Sequence, residues 1–312
     1  METVLVTGGA GFIGSNIVEA LLQKGYSVRV LDNLSTGRKE RLLEFIDKIE
    51  LIEGDIRDMK TVEYSLKDID YILHQAALPS VTRSVENPIE TSDCNIKGTL
   101  NILDAARRAN VKRIVYASSS SVYGNAEELP KKEKMQLKPL SPYAVTKISM
   151  EYYFDVFNNV YGIESIGLRY FNVYGPRQNP KSEYAAVIPR FINAILNDEK
   201  PVIYGSGEQT RDFTFVGDVI QANLLAMNAK GISHEVFNTA RGESISINKL
   251  LEKINSLLGK NIEPVYTKPR EGDIMYSLAD ISKAKERLGY KPEYDIEDGL
   301  RETIKYFREK HD

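Results

Sequence analysis

The sequence predicts an α/β protein: a doubly wound parallel sheet joined to a smaller C-terminal α/β substrate-binding lobe. Two observations predict it. Up to about residue 168, short apolar runs alternate with helical patterns, the order that lays strands parallel and covers both faces with helices. From Tyr170 the texture changes. Pro and Gly become frequent, as at Gly175-Pro176, Pro180, Pro189, Pro201, Gly205 and Gly207, elements shorten, and aromatics alternate with arginines. The expected division puts residues 1–168 plus about 213–240 in the sheet domain and 169–212 plus about 241–312 in the smaller lobe. In that division the run 213–229 returns to the first domain as strand and helix.

Val4-Leu5-Val6 reads as a short buried strand, followed by Thr7-Gly8-Gly9-Ala10-Gly11-Phe12-Ile13-Gly14. A helical pattern through Ile17, Val18, Leu21 and Leu22 stops at Gly25, and a second strand, Ser27-Val28-Arg29-Val30-Leu31, ends at Asp32. Strand, glycine turn, helix, strand and acid, in that order, are what a Rossmann-type dinucleotide site needs. Gly8 permits the tight turn, Gly11 lets backbone N–H groups approach a pyrophosphate, and Gly14 allows close helix packing. The phosphate charge then sits at the helix N-terminus. Asp32, eighteen residues beyond Gly14, can accept hydrogen bonds from both adenosine ribose hydroxyls. Its charge repels a 2′-phosphate, so NAD is expected rather than NADP.

The alternation continues. Residues 48–53 read as a strand ending at Gly54-Asp55-Ile56, and 70–73 as another ending at His74-Gln75-Ala76-Ala77. A long helix over about 89–109 leads to the strand Arg113-Ile114-Val115-Tyr116-Ala117, and a helix over 143–161 leads to a strand over 164–168. Gly8, Asp32, Asp55, Ala76 and Ser119 all follow strands, so they can line one crevice beyond the carboxyl ends of a parallel sheet.

Two stretches stand where chemistry is expected. Ser118-Ser119-Ser120-Ser121-Val122-Tyr123-Gly124 follows the fifth strand, and Ser141-Pro142-Tyr143-Ala144-Val145-Thr146-Lys147 reads as a helix start, with Ser141 as cap and Pro142 at the first helical position. A spacing of four puts the Tyr143 phenol and the Lys147 ammonium on one helix face. A tyrosine acts as a base near neutral pH only if its pKa falls from about 10 towards 7, roughly 4 kcal/mol of preferential stabilisation, which a nearby cation can help supply. Tyr306 and Lys310 repeat the spacing near the C-terminus without a serine run, and read as a solvated face of the last helix.

At 312 residues the chain has ample length for a core. Its net charge of -3, with acids and bases interspersed, offers no basic footprint for nucleic acid. Cys94 is the only cysteine, which excludes an intramolecular disulfide and a cysteine-based zinc site. No metal is expected, and His74, which stands alone, reads as structural. No apolar stretch approaches the ~20 residues of a membrane span, and the first strand begins almost at Met1, so a cytoplasmic protein is expected.

Taken together, these motifs resemble the extended short-chain dehydrogenase/reductase superfamily and, within it, the UDP-hexose 4-epimerases, over essentially the whole chain. Further matching stretches are Arg169-Tyr170-Phe171-Asn172-Val173-Tyr174-Gly175-Pro176, Arg211-Asp212-Phe213 and Arg270-Glu271-Gly272-Asp273. The nearest subgroup is similar to the UDP-N-acetylglucosamine 4-epimerases, as in Gln75-Ala76-Ala77-Leu78 with Ser80-Val81, and Tyr184-Ala185-Ala186-Val187-Ile188-Pro189. The resemblance implies Tyr143 as base on the sugar 4-hydroxyl, Ser119 bonded to that oxygen, and Lys147 on the nicotinamide ribose, lowering the tyrosine pKa. It implies NAD contacts from Gly8, Gly11, Phe12, Ile13, Gly14, Asp32, Asn33, Ser35, Gly37, Asp55, Ile56, Gln75, Ala76, Ala77, Asn95, Ser118 and Tyr170. For the UDP-sugar it implies Ser80, Ser121, Asn172, Ala186, Val187, Tyr204, Arg211, Arg270 and Asp273. Bland readings compete: Asn172 as a strand-end turn former, Tyr204 as core packing, Arg211 beside Asp212 as a surface ion pair, and Arg270 and Asp273 as loop decoration.

The chemistry so implied moves a hydride from C4 to NAD and back to the other face of a 4-keto sugar, leaving the cofactor unchanged and tightly held. Dehydratases on this scaffold place Thr-Asp-Glu where Ser119-Ser120-Ser121 stand here, and this chain has no carboxylate there. A uronate 4-epimerase, a decarboxylase and a catalytically idle NAD-binding regulator are the other readings. Ser277 aligns with a position that walls the sugar near C2, where enzymes restricted to plain hexoses tend to place tyrosine. UDP-GlcNAc and UDP-GalNAc are therefore expected to fit, with UDP-Glc and UDP-Gal also possible. A homodimer through the 89–109 and 143–161 helices is implied as well.

Overall fold

The computed structural model describes residues 1–180, 186–269 and 274–310. A seven-stranded sheet lies at its centre: β1 (Thr3–Thr7), β2 (Ser27–Asp32), β3 (Ile49–Glu53), β4 (Tyr71–His74), β5 (Arg113–Ser119), β6 (Ser165–Tyr170) and β7 (His234–Thr239). Every pairing is parallel, in the order β3-β2-β1-β4-β5-β6-β7. The order runs outward from β1 and β4, so the crossovers leave to opposite faces there and open a crevice at the strand carboxyl ends.

Strand periodicity explains the layers. Val4 and Val6 join Val28, Val30, Val115 and Ile166 in one apolar layer, while Leu5 joins Leu31, Ile72, Ile114 and Tyr116 in the other. The first layer packs under the helices Phe12–Gln23 and Val216–Met227, the second under Pro142–Tyr161 and the 88–109 helix. Tyr116 stacks on Phe154 with ring centroids 3.7 Å apart. Gly167 is what lets the Tyr116 ring lie there, since a Cβ on it would come within 2.6 Å of that ring.

Caps place the Pro142–Tyr161 helix as the sequence predicts. The Ser141 hydroxyl accepts from the Ala144 N–H at 3.1 Å, Pro142 stands in the first turn, and Gly162 ends the helix at φ 72°. The 89–109 helix is interrupted, because Asp93–Lys97 forms a π turn between Pro88–Ser92 and Gly98–Ala109. A π turn advances the helix face by one extra residue, and this one carries Asn95 into the interior.

The smaller lobe gathers the helices Val187–Leu196, Ile247–Leu258 and Ile296–Glu309 around Phe191, Leu250, Ile254, Leu300 and Ile304. Its short strands Val202–Tyr204 and Val265–Thr267 pair in parallel. The strand expected just after residue 213 is only Thr214–Phe215. It pairs with Val173–Tyr174, because the Phe215 ring packs on Tyr174 and Tyr294, and β7 is the strand that extends the large sheet. Ala279, Ile281, Ala284, Leu288 and Tyr290, assigned by the sequence to the smaller lobe, pack in the first layer of the large sheet. No helix among the described residues is long and apolar enough to cross a membrane.

Candidate active site

The crevice begins at the glycine turn. Gly8 adopts φ 69° and donates to the Leu31 carbonyl at 2.8 Å, while the Gly11 N–H closes the turn on the Gly8 carbonyl at 3.0 Å. A Cβ on Gly14 would lie 2.1 Å from the Gly8 oxygen, so the helix can approach this closely only with glycine there. The Phe12–Gln23 helix has neither a side-chain cap nor an acid in its first turn, an arrangement that suits an anion at its N-terminal N–H groups. At the end of β2 the buried Asp32 carboxylate accepts from Ala10 N–H at 2.9 Å and Leu34 N–H at 2.8 Å. Burial raises its pKa, with those N–H groups opposing. Gly37 packs directly on that carboxylate, where a Cβ would come within 2.6 Å.

A cleft of about 450 Å³ opens between these parts. Of the residues expected at the cofactor, Gly8, Gly11, Phe12, Ile13, Gly14, Asp32, Asn33, Ser35, Ile56, Gln75, Ala76, Ala77, Ser118 and Tyr170 line it. A glycine cradle that no side chain could share, an uncapped helix start and a carboxylate at the far end fit NAD. Three expected contacts lie off the lining. Asp55 is drawn to Arg57 at 2.7 Å and to Asn33 at 2.9 Å, and the Arg57 hydrogen bond holds its pKa at about 2. Gly37 acts through Asp32. Asn95 is fully buried, accepting from Leu78 N–H at 2.8 Å and donating to Thr146 at 3.0 Å, so it shapes the wall rather than facing the cleft. His74 is structural, held between Thr7 at 2.7 Å and Thr99 at 3.0 Å, with burial pushing its pKa down to about 3.

Ser119, Tyr143 and Lys147 meet on the same lining. The Lys147 ammonium donates to the Ala117 carbonyl at 2.7 Å and lies 5.7 Å from the Tyr143 ring centroid. The Ser119 hydroxyl accepts from Ser121 N–H at 3.2 Å and favours the ionised form of the Tyr143 phenol. The lysine does not dominate the phenol's acidity in this structure. Burial pushes Tyr143 up to about 12, opposed by Ser119, and pushes Lys147 down to about 8, opposed by Cys94 and Glu151. Both side chains are deeply buried, and desolvation is the largest cause of each shift.

A second cleft of about 430 Å³ continues into the smaller lobe and shares Asn172, Val173 and Ala186 with the first. Val187, Tyr204 and Arg211 line it as expected. Asn172 takes φ 35° and donates to the Asp212 carbonyl at 3.0 Å, so it is both a turn residue and a lining residue. Asp212 is fully buried rather than a surface partner of Arg211. It accepts the N–H groups of Arg241, Gly242 and Ala279, each at 3.1 Å, while burial raises its pKa to about 7.

Ser80 lies off both linings, its hydroxyl capping the Val81–Glu86 helix by accepting from Arg83 N–H at 3.1 Å. Ser121 also lies off them, with its hydroxyl oxygen buried and without a hydrogen-bond partner among the described residues. Ser277 is half-buried on neither lining, and Arg270 and Asp273 fall outside the described residues. Sequence reasoning missed Arg41, Cys94, Gln178 and Asn179 in the first cleft and Arg190 and Gln209 in the second. Arg190 stacks its guanidinium 5.4 Å from the Tyr204 ring centroid. Its place three residues beyond Val187 on one helix was the signal available for it.

The model of the NAD dependent epimerase/dehydratase family matches residues 4–240. A putative UDP-glucose 4-epimerase of Methanocaldococcus jannaschii is 45% identical over 307 residues, covering 98% of each chain. A UDP-N-acetylglucosamine 4-epimerase of Methanobrevibacter ruminantium, solved with UDP-N-acetylmuramic acid, superposes with TM-score 0.95 at 45% identity, over 99% of both chains. A Thermus thermophilus UDP-glucose 4-epimerase solved with NAD superposes with TM-score 0.90 at 36% identity, over 98% of this chain and 99% of that one.

Proposed function

Because the chain belongs to the NAD-dependent epimerase/dehydratase family, we propose that it is an NAD-dependent 4-epimerase of UDP-hexoses. It interconverts UDP-GlcNAc with UDP-GalNAc and UDP-Glc with UDP-Gal. The observation that carries this reading is the meeting of Ser119, Tyr143 and Lys147 on the lining of the first cleft, which shares Asn172, Val173 and Ala186 with the second, with no carboxylate in Ser119-Ser120-Ser121. Dehydration needs a further acid and base beside the phenol, and here three hydroxyls stand in their place.

When bound, NAD would supply the hydride acceptor and donor for C4. The chain's own residues do the rest. Tyr143 takes the 4-hydroxyl proton as the C4–H bond breaks and returns it when that bond re-forms, Ser119 orients the same oxygen, and Lys147 keeps a positive charge beneath the pair. A 4-keto sugar must turn over between the two halves, so binding has to be uneven. Tyr204, Arg190, Arg211 and Asn172 give the nucleotide its hold, and the hexose faces hydroxyls. Arg270 and Asp273 add to that hold in this reading.

The working unit is a homodimer in the cytoplasm. Val145, Tyr152, Val156 and Val160 form an exposed stripe along the Pro142–Tyr161 helix, with Val85 and Ile89 exposed beside it, and a second copy of the chain would cover them. Incubation with each of the four UDP-sugars tests the activity. Each should give its C4 epimer, Tyr143→Phe should lose turnover by orders of magnitude while keeping NAD, and near-normal turnover in that variant would remove Tyr143 from its role.

A further inference from the structure

Arg177 belongs to the smaller lobe's side of the crevice, yet its side chain is spent on the cofactor helix. It follows the turn after Val173–Tyr174 and adopts φ 70°, a left-handed conformation that costs a non-glycine residue energy. Its side chain is only 10% exposed. One nitrogen reaches Glu19 at 2.7 Å, Asn16 at 3.3 Å and the Ser15 carbonyl at 3.4 Å, all on the Phe12–Gln23 helix. The other lies 3.7 Å from Glu44, and the guanidinium covers the Phe45 ring at 5.6 Å. Asn16 completes the tie in the other direction, donating to the Pro176 carbonyl at 3.1 Å and to the Phe12 carbonyl at 2.8 Å.

The tie matters because of what the two pieces enclose. Gly11, Phe12, Ile13 and Gly14 line the first cleft, and so do Gln178 and Asn179, directly after Arg177. The Gln178 amide donates to the Val173 carbonyl at 3.2 Å, while its side-chain oxygen is buried without a partner among the described residues. That acceptor can be satisfied by a hydroxyl or N–H of a bound dinucleotide. The contacts of Arg177 and Asn16 therefore join the chain that bears Gln178 and Asn179 to the helix that bears the glycine turn.

We infer that Arg177 is a latch that holds the 175–180 loop on the dinucleotide-binding helix and so retains NAD between turnovers. This rests on the proposed epimerase reading, in which the cofactor finishes each cycle as it began and its escape would stop the enzyme. Arg177 touches neither reacting atom, so it acts by position.

Release of NAD tests this independently of turnover. Holoenzyme is diluted into excess unlabelled NAD after loading with radiolabelled NAD, and bound label is counted over time in parent and Arg177→Gln. The latch predicts release on the order of tenfold faster in the variant, with UDP affinity, measured by calorimetry on the same samples, changed by less than about twofold. Release within twofold of the parent would overturn it, as would a matching loss of UDP affinity, the mark of a merely structural tie. Should Arg177→Gln fail to fold, Glu19→Gln, which alters the partly exposed end of the tie, is read in the same way. Faster release supports the latch and unchanged release overturns it. A parent protein that holds no NAD would overturn the epimerase reading and the latch together.

Discussion

The Glu151 carboxylate meets the Arg169 guanidinium side-on, at 2.9 Å from Nε and 2.7 Å from Nη2, with the two side chains 8% and 5% exposed. Glu151 stands one turn beyond Lys147, which stands one turn beyond Tyr143, so three groups of the site share one helix face. Arg169 also donates to the Tyr123 hydroxyl at 2.8 Å, and Ser118 donates to Glu151. Ser118 and Arg169 are register partners on β5 and β6, one residue before Ser119 and Tyr170, which line the cleft. The ion pair therefore fixes the strand ends from which the site projects.

Replacing Glu151 by Gln removes a negative charge that favours the ammonium of Lys147 and strands Arg169 in the interior. Stability should fall by about 3–5 kcal/mol, the usual cost of breaking a buried pair from one side. The alkaline limb of the kcat/KM profile should move to lower pH, because Lys147 then loses its proton more readily. Denaturant unfolding and the pH profile read these separately. A limb that stays in place would mean Glu151 is structural only.

Ser119→Ala and Ser121→Ala should part company. The first removes the group that lowers the phenol's pKa, so turnover should drop by roughly 10²-fold, as for loss of one oriented donor, and the acid limb should move to higher pH. The second removes a buried hydroxyl that has no partner among the described residues, and the melting temperature should stay level or rise. A fall of several degrees in Ser121→Ala would show that its hydroxyl is satisfied.

Lys147 should cost stability where it is charged. Its folded pKa of about 8 lies below the ordinary 10.5, so below pH 8 the folded protein carries a buried ammonium that the unfolded chain would solvate. Between pH 8 and 10.5 the unfolded chain binds the extra proton, and the stability of the parent rises with pH. Lys147→Met should therefore be more stable than the parent at pH 7, by up to roughly 3 kcal/mol for a shift of this size, with the gap closing as pH rises to 10.5. Urea unfolding of both proteins at pH 7 and pH 10 checks the sign.

Ser277 lies between two fastenings beside the second cleft: the Met275 carbonyl accepts Thr210 N–H at 2.9 Å, and Ala279 N–H donates to Asp212 at 3.1 Å. Both partners flank Arg211, which lines that cleft. Ser277→Tyr should lower kcat/KM for UDP-GlcNAc and UDP-GalNAc by tenfold or more, about the penalty of a steric clash of 1.4 kcal/mol, and spare UDP-Glc and UDP-Gal. Equal kcat/KM ratios in both proteins would place the sugar wall elsewhere, for instance at Met275 or Tyr276.

What could be read along the chain was whatever local order determines. The glycine turn, Asp32 at a strand end and the Ser141 cap each act within a few residues of themselves, and all were legible. The Asp55 carboxylate is bonded by an arginine two residues on, a pairing that spacing alone does not display. Asn95 faces inward through a π turn that periodicity cannot display, and the Tyr143 acidity depends on burial, which no spacing encodes. Gln178 joins the first cleft only once the chain after Val173–Tyr174 folds onto the Phe12–Gln23 helix, so nothing near it in sequence marks it.

The most direct measurement follows the hydrogen on C4. UDP-GlcNAc carrying deuterium at C4 is incubated with the protein in ordinary water, and the product is read by NMR and mass spectrometry. Transfer to a resident cofactor and back predicts UDP-GalNAc with the deuterium still on C4. Product bearing a solvent proton at C4 would contradict it.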